Sequence, residues 1–191
     1  MLRKGPRVDT RGPGAHTECM ALELSHYPSL IHPLLSLERL PELGPGMPNA
    51  AALPILQMLS PNVLIPNARD ADMVAACLSG LWLLHDCLDE SHRISQDLDT
   101  STGSFLHAIM HRREPDAWNS KYWWRRVGAH PVLGQLREET TAVGYEYTTP
   151  VAFVDDCEAE RGKGNDREQL LRRVQRLEWD LLFAWCWEKA E

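Results

Sequence analysis

Two histidines and an aspartate interrupt the apolar face of the clearest helix in the sequence, within the string LHDCLDESHRISQ. Apolar side chains recur every three or four residues over 74–88, which is the period of an α-helix. Continuing this series brings His85 and His92 onto the same face about 20° apart, with Asp89 between them and about 40° off. Because burying such a group without partners costs about 2 kcal/mol or more, these side chains must meet other protein groups or a ligand.

A second polar stripe is predicted in the segment that follows, SFLHAIMHRREPD. His107, His111 and Glu114 are separated by four and three residues, so they share one side of a helix. Only the short loop DTST joins the two helices, and we therefore expect an antiparallel hairpin in which the two stripes face each other. Imidazole and carboxylate groups from both helices would then converge on one pocket.

Histidine and carboxylate side chains that project from facing helices are typical of a divalent transition-metal site in a helical bundle. The candidate metal ligands are His85, His92, His107 and His111. The match to a known motif is incomplete, because HAIMH lacks the glutamate of the zinc-protease motif H-E-x-x-H. The sequence therefore indicates a divalent transition metal as the candidate cofactor without indicating protease chemistry.

General acid/base catalysis without a metal is the alternative chemistry, since imidazole titrates near neutral pH. Asp89 could then fix the tautomer of a neighbouring histidine. The candidate catalytic residues are His85, Asp89, His92, His107 and His111. A third interpretation is structural: the same groups would only link the helices, and replacing them would cost stability and nothing else.

A local positive patch lies in the segment HRREPDAWNSKYWWRRVGAH, residues 111–130. Arginine presents a planar fork suited to carboxylate or phosphate groups, and tryptophan and tyrosine rings can stack on a ligand or on a guanidinium. We therefore expect a small anionic molecule as a partner. The candidate ligand-binding residues are Arg112, Arg113, Lys121 and Tyr122. In the alternative interpretation the arginines pair with acids of other helices and the tryptophans fill the core.

The strings HDCLDESHRISQ and TGSFLHAIMHRREPDAWNSKYWWRRVGAHP resemble a family of bacterial proteins to which no function is assigned. The likeness covers residues 80–131, under a third of the chain. It implies membership of that family, but it implies no reaction, cofactor or catalytic residue.

The elements that must position these residues are helices, because no segment shows the sustained alternation of a strand. We predict an all-α fold, a single-domain irregular bundle of about six or seven helices over residues 18–191. The best-defined helices run from Asp70 to about Leu98, from Ser101 to before Pro115, from Asp116 to Gly128, from Pro131 to about Val143, and from Asp166 onwards. Residues 1–17, rich in arginine, glycine and proline, are expected to form a flexible tail.

The formal charge of -7 and the pI near 5.6 argue against attraction to phosphate backbones, so nucleic acid is not expected as a partner. No apolar run reaches the roughly 18 residues of a membrane span, and the start of the chain lacks the apolar segment of a signal peptide, so we expect a cytoplasmic protein without membrane contact. The five scattered cysteines form no C-x-x-C pair and are expected to be buried thiols. The apolar segment WDLLFAWCW is expected to be buried, the alternative being a surface for a homo-oligomer.

Two functions from different classes follow from these observations. The preferred one is an enzyme that acts on a small anionic substrate by metal-assisted or histidine general acid/base chemistry. The alternative is a non-catalytic module that binds a metabolite or another protein through residues 111–130.

Overall fold

The structure, a computed structural model, describes residues 22–35 and 39–191, and over these residues it consists of helices without a strand. The all-α class that the sequence predicts is therefore confirmed. In this part of the chain two short 3-10 helices precede nine α-helices, which is more than the six or seven expected. The predicted flexible tail, residues 1–17, lies outside the described residues.

The additional helices are short elements in the proline-rich first third of the chain. The 3-10 helices are Leu24–His26 and Ser29–Leu34. The α-helices are α1 (Leu53–Met58), α2 (Pro61–Leu64), α3 (Ala71–Leu84), α4 (Leu88–Ser95), α5 (Ser101–Arg113), α6 (Ala117–Val127), α7 (Val132–Ala142), α8 (Pro150–Glu160) and α9 (Asp166–Ala190). Proline stands in the first turn of α1, α2 and α8, where its missing amide proton costs no helical hydrogen bond.

The helix predicted over residues 70–98 is divided into α3 and α4. Between them Asp86 has a positive φ of 63°, a conformation that a continuous α-helix does not contain. The buried carboxylate of Asp86 accepts hydrogen bonds from Arg39 and Arg113. These two arginines come from outside the helix, and they stabilise a break that helical periodicity alone does not predict.

The same two arginines also complete the end of α3. The last carbonyls of a helix have no amide partner within it and need donors from elsewhere. Arg113 Nη1 donates to the Leu83 carbonyl and Arg39 Nε donates to the Leu84 carbonyl, each at 2.7 Å. The end of α3 is therefore set by side chains 30 and 45 residues away along the chain.

Arginines also hold the extended segment 39–45 against the bundle. Every backbone carbonyl of this segment accepts a hydrogen bond from a side chain of the bundle, and the donors are Arg113, Arg161, Arg172, Gln175 and Arg176. A partly buried segment without regular structure needs such donors, because an unpaired buried carbonyl is costly. Four arginines of the bundle therefore donate hydrogen bonds to the protein backbone.

The turn between α4 and α5 is tight and requires a glycine. A Cβ at Gly103 would lie 2.3 Å from the Leu98 carbonyl oxygen, far inside van der Waals contact. Thr100 begins α5 by accepting a hydrogen bond from the Gly103 amide at 2.9 Å. The predicted hairpin is confirmed: α4 and α5 pack side by side, and Ser95 meets His107 while His92 meets His111, as antiparallel helices require.

The core forms around α9, which packs along α3. Trp179 Nε1 donates to the Gly80 carbonyl at 2.7 Å, so an indole bonds the backbone of the facing helix. The segment WDLLFAWCW is buried for the most part, as expected. Cys77, Cys87, Cys157 and Cys186 are buried free thiols, while Cys19 lies outside the described residues. Among the described helices we find none whose length and apolar character would suit a membrane span.

Candidate metal centre

Three histidines from α4 and α5 converge at the middle of the hairpin. The ring centroids of His92 and His107 are 4.6 Å apart, those of His92 and His111 are 5.2 Å apart, and those of His107 and His111 are 4.8 Å apart. Each ring offers a nitrogen within 4.8 Å of a nitrogen of each other ring. His107 and His111 are buried and His92 is half-buried, so the cluster approaches the surface on the α4 side.

The spacing of the residues explains this convergence. His107 and His111 are one helical turn apart on α5 and point to the same side. His92 lies on the facing side of α4, and the tight turn at Gly103 fixes the register between the two helices. The two predicted stripes are thus brought together in part: the first contributes His92, and the second contributes His107 and His111.

His107 has restraints on two sides. Its Nδ1 lies 3.4 Å from the hydroxyl of Ser95, one turn along α4 from His92. One face of the ring stacks on the indole of Trp123 from α6, with centroids 4.1 Å apart and planes 29° apart. The imidazole is therefore held in one orientation by a hydrogen-bonding group and a flat apolar wall.

His111 has a carboxylate beside it. Its Nδ1 lies 3.0 Å from Oε2 of Glu114, the residue that directly follows α5. The contact has the distance of an ion pair but lacks the alignment of a hydrogen bond, so within the described part of the chain the buried Nδ1 has no aligned partner.

The protonation state of the cluster follows from burial and mutual repulsion. Burial, followed by the neighbouring His111 and His92, lowers the pKa of His107 from 6.5 to about 3. Burial also lowers the pKa of His111, although the Glu114 carboxylate opposes that shift. Neutral imidazole is the form that binds metals. A histidine that titrates near pH 3 is also poorly matched to proton transfer at neutral pH.

His85 does not join the cluster, contrary to its place in the predicted stripe. It ends α3, where Nε2 contacts the Leu34 carbonyl and Nδ1 contacts the Asn49 side-chain amide, each at 3.0 Å. The break at Asp86 is the physical reason, because α4 does not continue the face of α3. His85 has the structural role of linking α3 to two N-terminal segments.

Asp89 also lies apart from the cluster. It belongs to the first turn of α4 and is exposed to solvent, where an acidic residue favours the helix N-terminus. The carboxylate that does contact the cluster is that of Glu114. Of the five candidate catalytic residues, the structure therefore gathers His92, His107 and His111.

The arginines predicted to bind an anion are directed into the protein instead. Arg112 is fully buried, pairs with Glu178 of α9 and lies over the ring of Phe153, 4.6 Å from its centroid. Arg113, also buried, pairs with Asp86 at the end of α3. Both guanidinium groups are buried and bonded to internal carboxylates, so these contacts agree with the structural interpretation weighed for this segment.

The remaining candidates of the patch lie on the outer side of α6. Lys121 forms an ion pair with Asp155 of α8. Tyr122 is partly exposed and stacks parallel to Trp118, with planes 10° apart and centroids 6.3 Å apart. Trp118 itself is 73% exposed. The structure does not bring these groups together with Arg112 and Arg113 into one anion-binding site.

Ser95, Glu114 and Trp123 also contact the cluster. Glu114 belongs to the second predicted stripe, three residues after His111, and Ser95 lies seven residues after Leu88 on the apolar face that carries the first, so helical spacing indicates both. Trp123 belongs to another helix, and only the packing of α6 on α5 brings it to His107.

No protein-family model, curated protein or solved structure matches the chain. The resemblance over residues 80–131 stays a prediction, and the function has to be argued from the site itself.

Proposed function

We propose that the protein binds a divalent transition metal through His92, His107 and His111 and that the metal serves catalysis on a small substrate. The observation that supports this proposal is the convergence of three imidazole nitrogens from two helices in a largely buried position. Each of the three neutral rings carries one nitrogen lone pair that can bind a metal. A bound metal would use all three.

The distances are compatible with a site that tightens when it is filled. Metal to nitrogen bonds of about 2.0 to 2.1 Å in a tetrahedral site place the ligand nitrogens roughly 3.4 Å apart. The nitrogens here lie within 4.8 Å of one another, so side-chain rotations that move each nitrogen by about 1 Å would reach that geometry. The half-buried His92 has the most room to move.

The chemistry of the ligands favours zinc, nickel, copper, cobalt or iron over magnesium and calcium, which prefer oxygen ligands. Three protein ligands also leave a coordination position for water or substrate, as in catalytic rather than structural zinc sites. When bound, such a metal would supply a water of lowered pKa and a positive charge at the substrate. That charge replaces the predicted arginines as the group that attracts a small anionic substrate.

Metal titration of chelator-treated, tag-free protein tests the proposal. We expect wild-type protein to bind one equivalent of Zn²⁺, and Co²⁺ to give the visible absorption of a nitrogen-ligated site. His92→Ala should abolish both signals without unfolding the protein, because His92 is the most exposed of the three ligands. His26→Ala is the matched control, since His26 is exposed and outside the cluster. Equal binding by wild type and His92→Ala, or no binding by either, would contradict the proposal.

The second candidate function is a non-catalytic binding module that uses the outer face of α6. The parallel stack of exposed Trp118 on Tyr122 favours it, because such a ring pair can take up a further flat ring. Protein that carries no metal, and whose tryptophan fluorescence responds to an aromatic metabolite in wild type but not in Trp118→Ser, would favour this module over the metalloenzyme.

A further inference from the structure

We infer that Ser95 and Glu114 are positioning residues that hold His107 and His111 in the tautomer whose Nε2 faces the metal. This inference rests on the proposed metal site and specifies how the chain prepares it. It assigns to each of two ligands a partner on the far side of its ring. A hydrogen bond at Nδ1 fixes the ring orientation and raises the basicity of a metal-binding histidine, and a carboxylate close to Nδ1 favours the same tautomer through its charge.

The hydroxyl of Ser95 has a single hydrogen to donate. Oγ of Ser95 lies 3.2 Å from the His92 carbonyl, which can only accept, and we place the hydroxyl hydrogen on this contact. Toward Nδ1 of His107, at 3.4 Å, the same oxygen must then act as acceptor. The proton of the neutral imidazole therefore resides on Nδ1, and Nε2 keeps its lone pair for the metal.

Ser95 also connects two ligands of the cluster. Its hydroxyl bonds the backbone of His92 and the ring of His107, so one group relates the position of an α4 ligand to that of an α5 ligand. Ser95 is buried, and water does not compete for these contacts. The stack on Trp123 further restricts the rotation of the His107 ring.

Glu114 brings a negative charge to the Nδ1 side of His111. A carboxylate can only accept a hydrogen bond, so Oε2 at 3.0 Å from Nδ1 of His111 stabilises the tautomer with the proton on Nδ1. Nε2 of His111 then presents a lone pair to the cluster. The negative charge also offsets part of the positive charge that a divalent ion would bring into the buried site.

His92 differs from the other two ligands. Within residues 22–35 and 39–191 its ring contacts the other histidines but makes no hydrogen bond. We therefore infer an order of preparation, in which His107 and His111 are oriented before the metal arrives and His92 closes the site. Loss of the Ser95 or Glu114 side chain should weaken binding without removing a ligand.

The affinity for Zn²⁺, measured by competition with a chromophoric chelator, tests this inference in Ser95→Ala and Glu114→Gln. We expect each variant to bind Zn²⁺ about 10- to 100-fold more weakly than wild type. The matched controls are Ser91→Ala, which removes a buried serine of α4 bonded to Ser79, and Glu138→Gln on the exposed side of α7. Both controls should bind Zn²⁺ as wild type does.

The tautomers can be measured directly in metal-free wild-type protein, so this test does not depend on whether a variant folds. Two-bond proton–nitrogen correlation spectra of ¹⁵N-histidine-labelled protein should show the proton of His107 and His111 on Nδ1. The proton on Nε2 in either ring would overturn the inference for that ring. If wild type binds Zn²⁺ and the two variants bind it equally well, the inference fails while the proposed function stands. If wild type binds no metal, the proposed function fails, and the positioning role falls with it whatever the tautomers are.

Discussion

The imidazoles of His92 and His107 meet edge to face across the boundary between α4 and α5, with ring centroids 4.6 Å apart and planes at 88°. The two residues are 15 positions apart along the chain, and a short turn folds one helix onto the other to bring them together. Since His111 completes the group, the hairpin is the unit that carries the proposed function. Changes to the turn that sets the register of the hairpin should therefore affect stability and metal binding together.

The first prediction concerns the turn of that hairpin. Gly103→Ala should destabilise the protein by about 2 kcal/mol or more, because the new Cβ would press on the Leu98 backbone and something must shift. Zn²⁺ affinity should fall as well, since the register of α4 against α5 would change. Urea denaturation and a zinc titration measure the two effects.

Gly134→Ala is the control for this change. Gly134 holds the same third position in α7, and its added methyl group would meet no atom within 4 Å. Alanine should stabilise this helix by roughly 0.5 to 1 kcal/mol, because it restricts the unfolded chain more than glycine does. A similar loss of stability in both variants would argue against the steric explanation for Gly103.

The second prediction concerns the buried arginine at the break between α3 and α4. Arg113→Ala should cost about 3 to 5 kcal/mol, because it removes a buried partner of Asp86 and the donor to the Leu83 carbonyl. Thermal and urea unfolding measure the loss. Lys121→Ala should change stability by less than about 1 kcal/mol, since its pair with the exposed Asp155 lies near solvent. Equal effects would contradict the assignment of Arg113 to the core.

The third prediction concerns pH. Burial lowers the pKa of His85 and of His130 from 6.5 to about 4. At these two histidines the unfolded chain binds more protons than the folded chain between about pH 6.5 and 4, so their contribution to the free energy of unfolding is complete above that window and falls as the pH drops through it. Each histidine should contribute up to about 3 kcal/mol to this loss.

Urea denaturation of metal-free protein at several pH values between 7.5 and 4.5 measures the slope. His85→Gln should flatten it, because glutamine offers hydrogen-bonding groups toward Leu34 and Asn49 but does not titrate. An unchanged slope in this variant would show that His85 is not responsible for its share.

The part of the site that could be predicted is the part that rests on local spacing. The four-residue interval from His107 to His111 and the short loop before α5 depend only on helical geometry, and the structure has both. The all-α class follows in the same way. What spacing could not reveal is the break at Asp86, because it depends on Arg39 and Arg113, which are distant in sequence.

The arginines show the same limit. Arg112 and Arg113 are adjacent in the chain, yet one turns to Glu178 and the other to Asp86. Neither partner is near in sequence, so the choice between a ligand and an internal carboxylate is made by the packing of α5 against α3 and α9. The cluster of positive residues in the sequence therefore predicted a concentration of charge, but it did not predict whether the arginines would bind a ligand or pair with internal carboxylates.

The most direct test of the central claim is the anomalous diffraction of crystals grown with Zn²⁺, measured on both sides of the zinc absorption edge. The account predicts one strong peak within about 2.1 Å of a nitrogen of each of His92, His107 and His111. A map without a peak among these rings, or with zinc held only by residues elsewhere on the surface, would contradict it.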